Sequence, residues 1–241
     1  MSGPSLARLA LIITLGLLLI RSLRQQPLSA QDLRLRLPRC LVGLAVFGLG
    51  VALLVVSKMG TAPWDVLHQG LASRFNIELG LVMNIVGLLV LPLWIPLRQR
   101  IGLGTILNTL EIGLVVDLVK PHLSTPGALG LRVLMMVLGV VLIAIGSGVY
   151  IGSGLGPGPR DGIMTGLKAL GMSVRMGRTL VEITTLALGL MLGGTAGLGT
   201  LVFLVGIGPL VQFVLERVTL PPIATAEPAG GFSPNPNPNP V

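Results

Sequence analysis

The chain has 241 residues, of which 52% are hydrophobic and only 11% are charged. Soluble domains carry about 25% charged residues, so this composition excludes an ordinary water-facing surface and favours a lipid-facing one. The formal net charge of +8 is distributed between apolar runs and aromatic residues are only 3% of the chain, which disfavours nucleic-acid binding. The single cysteine, Cys40, excludes an internal disulfide and a thiolate metal site.

The first element in chain order is a short apolar run at residues 9–20, bounded by Arg8 and Arg21. This run is shorter than the roughly 20 residues that a spanning helix needs. We interpret residues 1–35 as an N-terminal apolar helix that is not cleaved, followed by a basic linker. This helix would be a seventh, short span; the alternatives are a signal-peptide core, an interfacial helix or upstream sequence that is not part of the core.

Six longer apolar segments follow, and each approaches the length of a membrane-spanning helix. Glycine is abundant in them, as expected where helices approach one another closely in a membrane. The six predicted spans are residues 40–57, 79–97, 104–120, 132–151, 179–194 and 200–216.

A repeat relates the two halves of this apolar region. The segment SKMGTAPWD at residues 57–65 returns as SGLGPGPRD at residues 153–161, an offset of 96 residues. The tetrapeptide Gly-Leu-Gly-Thr occurs at residues 102–105 and again at residues 197–200. A duplicated unit in so apolar a chain is typical of a membrane protein built from two halves.

The sequence therefore predicts an all-α fold, a polytopic transmembrane helix bundle with a six-span core. Residues 36–123 form the first membrane repeat and residues 124–218 the second. Because each repeat has three spans, the two repeats insert with opposite orientation. Basic residues concentrate on the side that holds residues 34–39, so we place both core termini in the cytoplasm and the protein in the cell membrane. Residues 219–241 are rich in Pro and Asn and are predicted to be a disordered tail.

Each repeat has a connector between its first two spans, at residues 60–76 and 156–173. Both connectors open with glycines and a proline, and an apolar stripe of helical spacing follows for about 12 residues, too short to span a membrane. We expect these segments to lie at the membrane interface or to enter the bilayer as re-entrant helices. Gly/Pro-interrupted segments at matching positions of two halves indicate a transporter's binding site.

Asp65 and Asp161 are duplicated acids at the start of the two connector helices. They either cap backbone N–H groups or contribute to a binding site. Arg160 stands where the first repeat has Trp64, and it is either a fixed cation of the second site or a topology charge.

Glu111 lies midway along a predicted span, one turn after Asn108. An ionisable residue at that depth indicates cation binding or proton transfer, unless it is protonated and bonded to a neighbour. The residues predicted for substrate or ion binding are Gly60, Pro63, Asp65, Glu111, Gly156, Pro159, Arg160 and Asp161. No catalytic residue, metal ligand or cofactor is predicted, because no metal-binding, nucleotide-binding or nucleophile motif occurs.

At residues 60–70 (GTAPWDVLHQG) and 154–166 (GLGPGPRDGIMTG) the chain resembles the YczE/YitT-type family of bacterial integral membrane proteins. The resemblance covers about residues 36–218 and includes both Gly-Leu-Gly-Thr motifs. It implies a multi-span helical membrane protein whose biochemical role is unsettled, and it brings no catalytic residues. Its motif matches are Gly60, Pro63, Asp65, Gly156, Pro159, Arg160 and Asp161.

The leading functional hypothesis is a transporter or permease that moves an ion or a small solute along a path between the repeats. The alternative is a non-transporting scaffold or regulator of another membrane complex. A membrane-embedded enzyme acting on lipid is disfavoured, and we predict that the protein is not an enzyme. The expected partners are the lipid bilayer, a small solute or ion, and either further copies of the chain or another membrane protein, but not nucleic acid.

Overall fold

The computed structural model describes residues 13–14, 16–18, 28–221 and 223. This part of the chain is helical and contains no strand, which confirms the all-α prediction. Two short 3-10 helices, Leu91–Trp94 and Lys120–His122, extend α3 and α4. The α-helices between residues 28 and 221 are α1 (Ala30–Ser57), α2 (Pro63–Phe75), α3 (Leu79–Val90), α4 (Leu103–Val119), α5 (Leu129–Gly152), α6 (Pro159–Ala169), α7 (Val174–Met191) and α8 (Leu198–Val218).

Most of the predicted N-terminal helix and of the predicted C-terminal tail lies outside the described residues. Within the N-terminal segment, residues 13–14 and 16–18 are helical. Leu18 packs against the buried side chains of Leu81 and Ile106, which belong to α3 and α4. The part of this segment that the structure describes therefore packs on α3 and α4 of the first repeat.

Each predicted span coincides with a helix, and the largest differences from the predicted boundaries are at the start of α1 and at the end of α3. α1 begins at Ala30 rather than at residue 40, because the hydroxyl of Ser29 accepts a hydrogen bond from the N–H of Asp32 and starts the helix there. α3 ends at Val90 rather than at residue 97. Pro92 lacks the N–H that a further helical turn requires, so the chain continues as a 3-10 helix.

Three of the helices, α1, α5 and α8, are long and apolar enough to cross a membrane. α2 and α3 with its 3-10 extension together would supply a fourth candidate span, but they are bent by 114°, as in a broken span or a re-entrant segment. The structure thus supports a helical membrane protein with three to four candidate spans by length and composition. The prediction of six spans is not confirmed by these criteria.

The centre of the molecule is the contact between α1 and α5. A Cβ atom at Gly43 would lie 2.6 Å from the backbone nitrogen of Tyr150, and one at Gly50 would lie 2.7 Å from the carbonyl oxygen of Gly139. Only glycine permits the two backbones to approach so closely. Because the early part of α1 touches the late part of α5, the two helices are antiparallel.

A pair of arginines joins the ends of these two helices reciprocally. Arg36 on α1 donates from Nη1 to the carbonyl oxygen of Ser153 (2.9 Å), just beyond the end of α5. Arg132 on α5 donates from Nε to the carbonyl oxygen of Ser57 (2.8 Å), at the end of α1. Each cation thereby satisfies a C-terminal carbonyl of the other helix. Arg36 belongs to the basic segment at residues 34–39, but it is only 4% exposed and binds inside the bundle.

Each Gly-Leu-Gly-Thr motif forms a backbone hydrogen bond with the other half of the chain. The N–H of Gly104, at the start of α4, donates to the carbonyl oxygen of Leu155 in the second half (2.8 Å). The N–H of Gly199, at the start of α8, donates to the carbonyl oxygen of Met59 in the first half (2.7 Å). Each half therefore holds the connector of the other half at one end of the α1–α5 pair.

Candidate functional site

The short helices α2 and α6 are the elements that position the site. Thr165 on α6 donates to the side chain of Gln99, in the turn after α3 (2.9 Å). Thr195, in the turn after α7, donates to Gln69 on α2 (2.8 Å). Each short helix is thereby fixed to the other half, and the two are attached at opposite ends of the α1–α5 pair.

Both short helices begin as their sequences predict. Gly60 and Gly156, which precede them, have φ values of +101° and +120°, a conformation that glycine adopts without strain. Pro63 and Pro159 then occupy the first helical positions, where the missing N–H costs nothing. The two glycines lie at the junctions with the opposite Gly-Leu-Gly-Thr motifs, away from the polar centre described next.

A small cavity of ≈ 20 Å³ lies where the starts of α2 and α6 face the middle of α3 and α4. Such a volume suffices for about one water molecule. Its polar lining comes from both halves of the chain. The lining residues are Trp64, His68, Met83, Asn84, Val86, Gly87, Val90, Asn108, Thr109, Ile112, Gly113, Pro159 and Arg160.

An ion pair between the repeats is the main electrostatic feature of the site. Nη2 of Arg160 donates to Oδ1 of Asp65 at 3.4 Å, and the Asp65 side chain is 1% exposed. Nδ1 of His68, one turn further along α2, lies 3.4 Å from the same oxygen without the alignment of a hydrogen bond. The structure therefore brings together two predicted site residues that are 95 positions apart in the sequence.

The aromatic ring of Trp64 adds a second contact to the same arginine. The guanidinium carbon of Arg160 lies 5.5 Å from the centre of the Trp64 ring, within the range of a cation–π interaction. The indole nitrogen of Trp64 is buried and has no hydrogen-bond partner among the described residues. Trp64 therefore holds the cation through its ring while its N–H donor remains unsatisfied.

Asp161 does not share the site of its repeat counterpart. Its carboxylate accepts a hydrogen bond from the hydroxyl of Tyr150, a fully buried side chain at the end of α5. Among the described hydrogen bonds, neither Asp65 nor Asp161 accepts a backbone N–H, as a capping residue would. Both carboxylates bind side chains instead. The duplicated acids have diverged, one toward Arg160 and the other toward Tyr150.

Glu111 is not part of the cavity lining, although Asn108 one turn earlier is. The side chain is half-buried, and its Oε2 atom is buried without a hydrogen-bond partner among the described residues. The structure therefore separates Glu111 from the Asp65–Arg160 pair, whereas the sequence interpretation had placed it in the same site.

Sequence reasoning missed the contributions of three residues. The sequence indicated Trp64 only as the repeat counterpart of Arg160, and it indicated no role for His68 or Tyr150. His68 is 1% exposed and Tyr150 is 2% exposed. The available signal for Tyr150 was its uniqueness, since it is the single tyrosine of the chain and stands where the first repeat has Leu54.

Metal ligands are not assembled in the described part of the chain: no group of three or more His, Cys, Asp or Glu side chains there could hold a metal ion. Asn84 instead has a packing role. With its nitrogen oriented toward the carbonyl oxygens of Gly80 (3.1 Å) and Thr109 (3.0 Å), its amide joins α3 to α4.

The long apolar helices and the buried polar centre between the two halves are those of a helical integral membrane protein. Residues 35–216 match the model of a family of unknown function, DUF6198, and the chain belongs to this family. The resemblance derived from the connector motifs is thereby confirmed.

Three curated relatives align with this chain over most of their own length. The chain is 38% identical to an uncharacterized protein of Haemophilus influenzae over 74% of this chain and 82% of the relative. It is 33% identical to the uncharacterized membrane protein YczE of Bacillus subtilis, over 78% of this chain and 88% of the relative. Identity to YyaS, an uncharacterized protein of Bacillus subtilis, is 28% over 66% of this chain and 82% of the relative. No solved structure gives a significant match.

Proposed function

We propose that this protein is a transporter or permease of the cell membrane that moves an ion or a small solute between its two repeats. The observation that carries the proposal is the buried Asp65–Arg160 pair, in which each repeat contributes one charge beside a cavity at the starts of two short helices. Buried charges in a membrane protein are costly and generally mark substrate or ion pathways. Short broken helices that meet near the middle of a bundle are a recurrent arrangement in transporters.

The proposal includes six spans arranged as two inverted repeats, with both core termini in the cytoplasm. Support comes from the antiparallel packing of α1 and α5 and from the reciprocal bonds of Arg36 and Arg132. In this arrangement α2 enters from the outer face and α6 from the inner face. A rocking of one repeat against the other would then open the cavity to each side in turn. No catalytic step is part of the proposal.

Flux measurements in proteoliposomes test this function. The purified protein is reconstituted and compared with empty liposomes for uptake or efflux of a panel of ions and small metabolites. We expect a flux that disappears when Asp65→Asn and Arg160→Met are combined, because this double variant removes both charges of the pair. Glu216→Gln removes an exposed carboxylate of α8 and serves as the matched control, which should retain the flux. An unchanged flux in the double variant would contradict the proposed site.

A second candidate function, a non-transporting scaffold or regulator, is favoured by an asymmetry between the halves. α3 packs closely on α4, with Gly80 against Gly113, whereas α7 and α8 make few contacts with each other. The face of α8 around Val205, which is 79% exposed, could receive a helix of another membrane protein. Co-purification of one dominant membrane protein, together with absence of flux in liposomes, would favour this function over transport.

A further inference from the structure

We infer that the cavity between α2 and α6 binds a small monovalent inorganic anion of about the size of a water molecule, a halide-class ion, held by Trp64 and Arg160. The inference deepens the proposed function and rests on it, because it assigns a substrate class to the same site. It begins from the unsatisfied hydrogen-bond donors around the cavity. A donor buried without an acceptor costs about 1–3 kcal/mol, so such a group in a native site indicates an absent acceptor.

The first donor is the indole N–H of Trp64. The Trp64 side chain is buried, it lines the cavity, and its nitrogen has no partner among the described residues. An indole nitrogen donates and cannot accept. Its missing partner is therefore an acceptor, which can be a water oxygen or an anion but not a cation.

The second source of donors is the guanidinium of Arg160. It carries five N–H donors, and its described hydrogen bond is a single long one of 3.4 Å to Asp65. Charge-assisted bonds of this kind are typically about 2.7–2.9 Å. The pair with Asp65 is therefore loose, and Arg160 retains the capacity to bind a second negative group in the cavity that it lines.

The helix geometry favours the same sign of charge. Pro159 and Arg160 occupy the first turn of α6, and Trp64 occupies the first turn of α2. The N-terminal ends of two helices of 13 and 11 residues thus face the cavity, and each carries a partial positive charge of roughly +0.5. Each first turn also holds a carboxylate: Oδ1 of Asp65 already contacts Arg160 and His68, and Asp161 accepts from Tyr150 and is not part of the cavity lining.

The volume of ≈ 20 Å³ sets the size of the ligand. A monatomic anion is of about this size. An anion bound to Arg160 competes with Asp65 for the same guanidinium, so its arrival would loosen the contact that joins the two repeats. The exchange of one negative partner for another gives a physical link between binding and movement of the repeats.

Equilibrium binding to the full chain in detergent tests the inference independently of flux. The heat of binding is recorded by titration calorimetry while sodium fluoride, chloride or bromide replaces sodium gluconate at constant ionic strength, a readout that does not depend on Trp64 itself. We expect a saturable change for at least one halide and a loss of affinity of tenfold or more in Trp64→Phe and in Arg160→Lys. Arg34→Gln, which removes an exposed cation of α1, is the control and should bind as the parent chain does.

Two results would overturn the inference: a response that stays linear and equal for all halides, or one that follows exchange of sodium for potassium instead of exchange of the anion. Arg160→Lys keeps a positive charge beside Asp65, and Trp64→Phe keeps an aromatic side chain, so we expect both variants to fold. Size-exclusion chromatography first checks that each variant elutes as a single species. Saturable halide binding without halide flux would retain the anion site and reject transport. Flux of another solute without halide binding would retain transport and reject the anion site.

Discussion

The Asp65–Arg160 pair concentrates the electrostatics of this molecule in two side chains from different repeats. Asp65 is almost fully buried, whereas the Arg160 side chain is 25% exposed. Removing the arginine would leave a buried carboxylate whose remaining contact is the poorly aligned His68. Removing both charges avoids that cost. The pair is therefore expected to behave as a unit, with single changes more harmful than the double change.

A double-mutant cycle measures this coupling. We expect Arg160→Met to destabilise the protein more than Asp65→Asn combined with Arg160→Met does, with a coupling energy of about 1–3 kcal/mol. Unfolding by SDS in mixed micelles gives the free energies for the four proteins. Additive effects of the two single changes would show that the 3.4 Å contact contributes nothing to the fold.

The hydrogen bond from Tyr150 to Asp161 gives a second prediction at this scale. Tyr150→Phe removes the hydroxyl and leaves the Asp161 carboxylate without its described donor. Loss of a bond to a charged group costs roughly 1.5–3 kcal/mol, so the midpoint of SDS unfolding should fall. Phe47→Leu changes an aromatic neighbour of Tyr150 without touching the bond and serves as a control for packing. Equal effects of the two changes would indicate that the hydroxyl is unimportant.

At the scale of the elements, α1 and α5 are held together by small residues along their length and by arginines at their ends. Arg36→Met and Arg132→Met should each destabilise the bundle by about 1.5–3 kcal/mol, because each removes charged hydrogen bonds to carbonyl oxygens at a helix end. Arg34→Met, an exposed change on α1, is the matched control. Comparison of SDS-unfolding midpoints checks the prediction, and a loss no larger than that of the control would contradict it.

The close contact between α1 and α5 makes a steric prediction. Gly50→Val would place side-chain atoms where a Cβ already lies 2.7 Å from the carbonyl oxygen of Gly139 and 2.8 Å from the nitrogen of Ile143. Neither backbone atom can move without separating the helices, so we expect loss of the folded, monodisperse protein in detergent. Gly130→Val is the control, since no atom lies within 4 Å of its Cβ position. Similar elution profiles for both variants would show that α1 and α5 do not pack as described.

The elements themselves were accessible to sequence reasoning because they depend on local chemistry. Apolar runs predicted the long helices, and Pro63 and Pro159 marked the starts of the short ones. The extension of α1 to Ala30 was missed because the segment around Arg36 contains charges and a proline. The partners of Asp65 and Arg36 could not be read from local patterns, since both contacts cross between halves. Arg36 and Arg132 occupy equivalent positions of the two repeats, and this correspondence in the sequence could have indicated their equivalent roles.

At the scale of the whole molecule, the contacts between the halves are reciprocal. Arg36 and Arg132, and Gly104 and Gly199, make corresponding bonds at opposite ends of the α1–α5 pair. α1 has 28 residues and is therefore about 42 Å long, which is enough to separate the two ends across a bilayer. An inverted arrangement would place equivalent loops of the two repeats on opposite sides of the membrane. The transport proposal depends on this arrangement, because it requires one short helix at each face.

Labelling of single cysteines in cells is the most direct test of that arrangement. A cysteine is inserted after Arg100 in one protein and after Ala196 in another, both in a Cys40→Ala background, and reacted with a membrane-impermeant maleimide. We predict that the site after Ala196 reacts in intact cells, whereas the site after Arg100 reacts only after the membrane is permeabilised. Reaction of both sites under the same condition would place the two turns on one face and contradict the two oppositely oriented repeats.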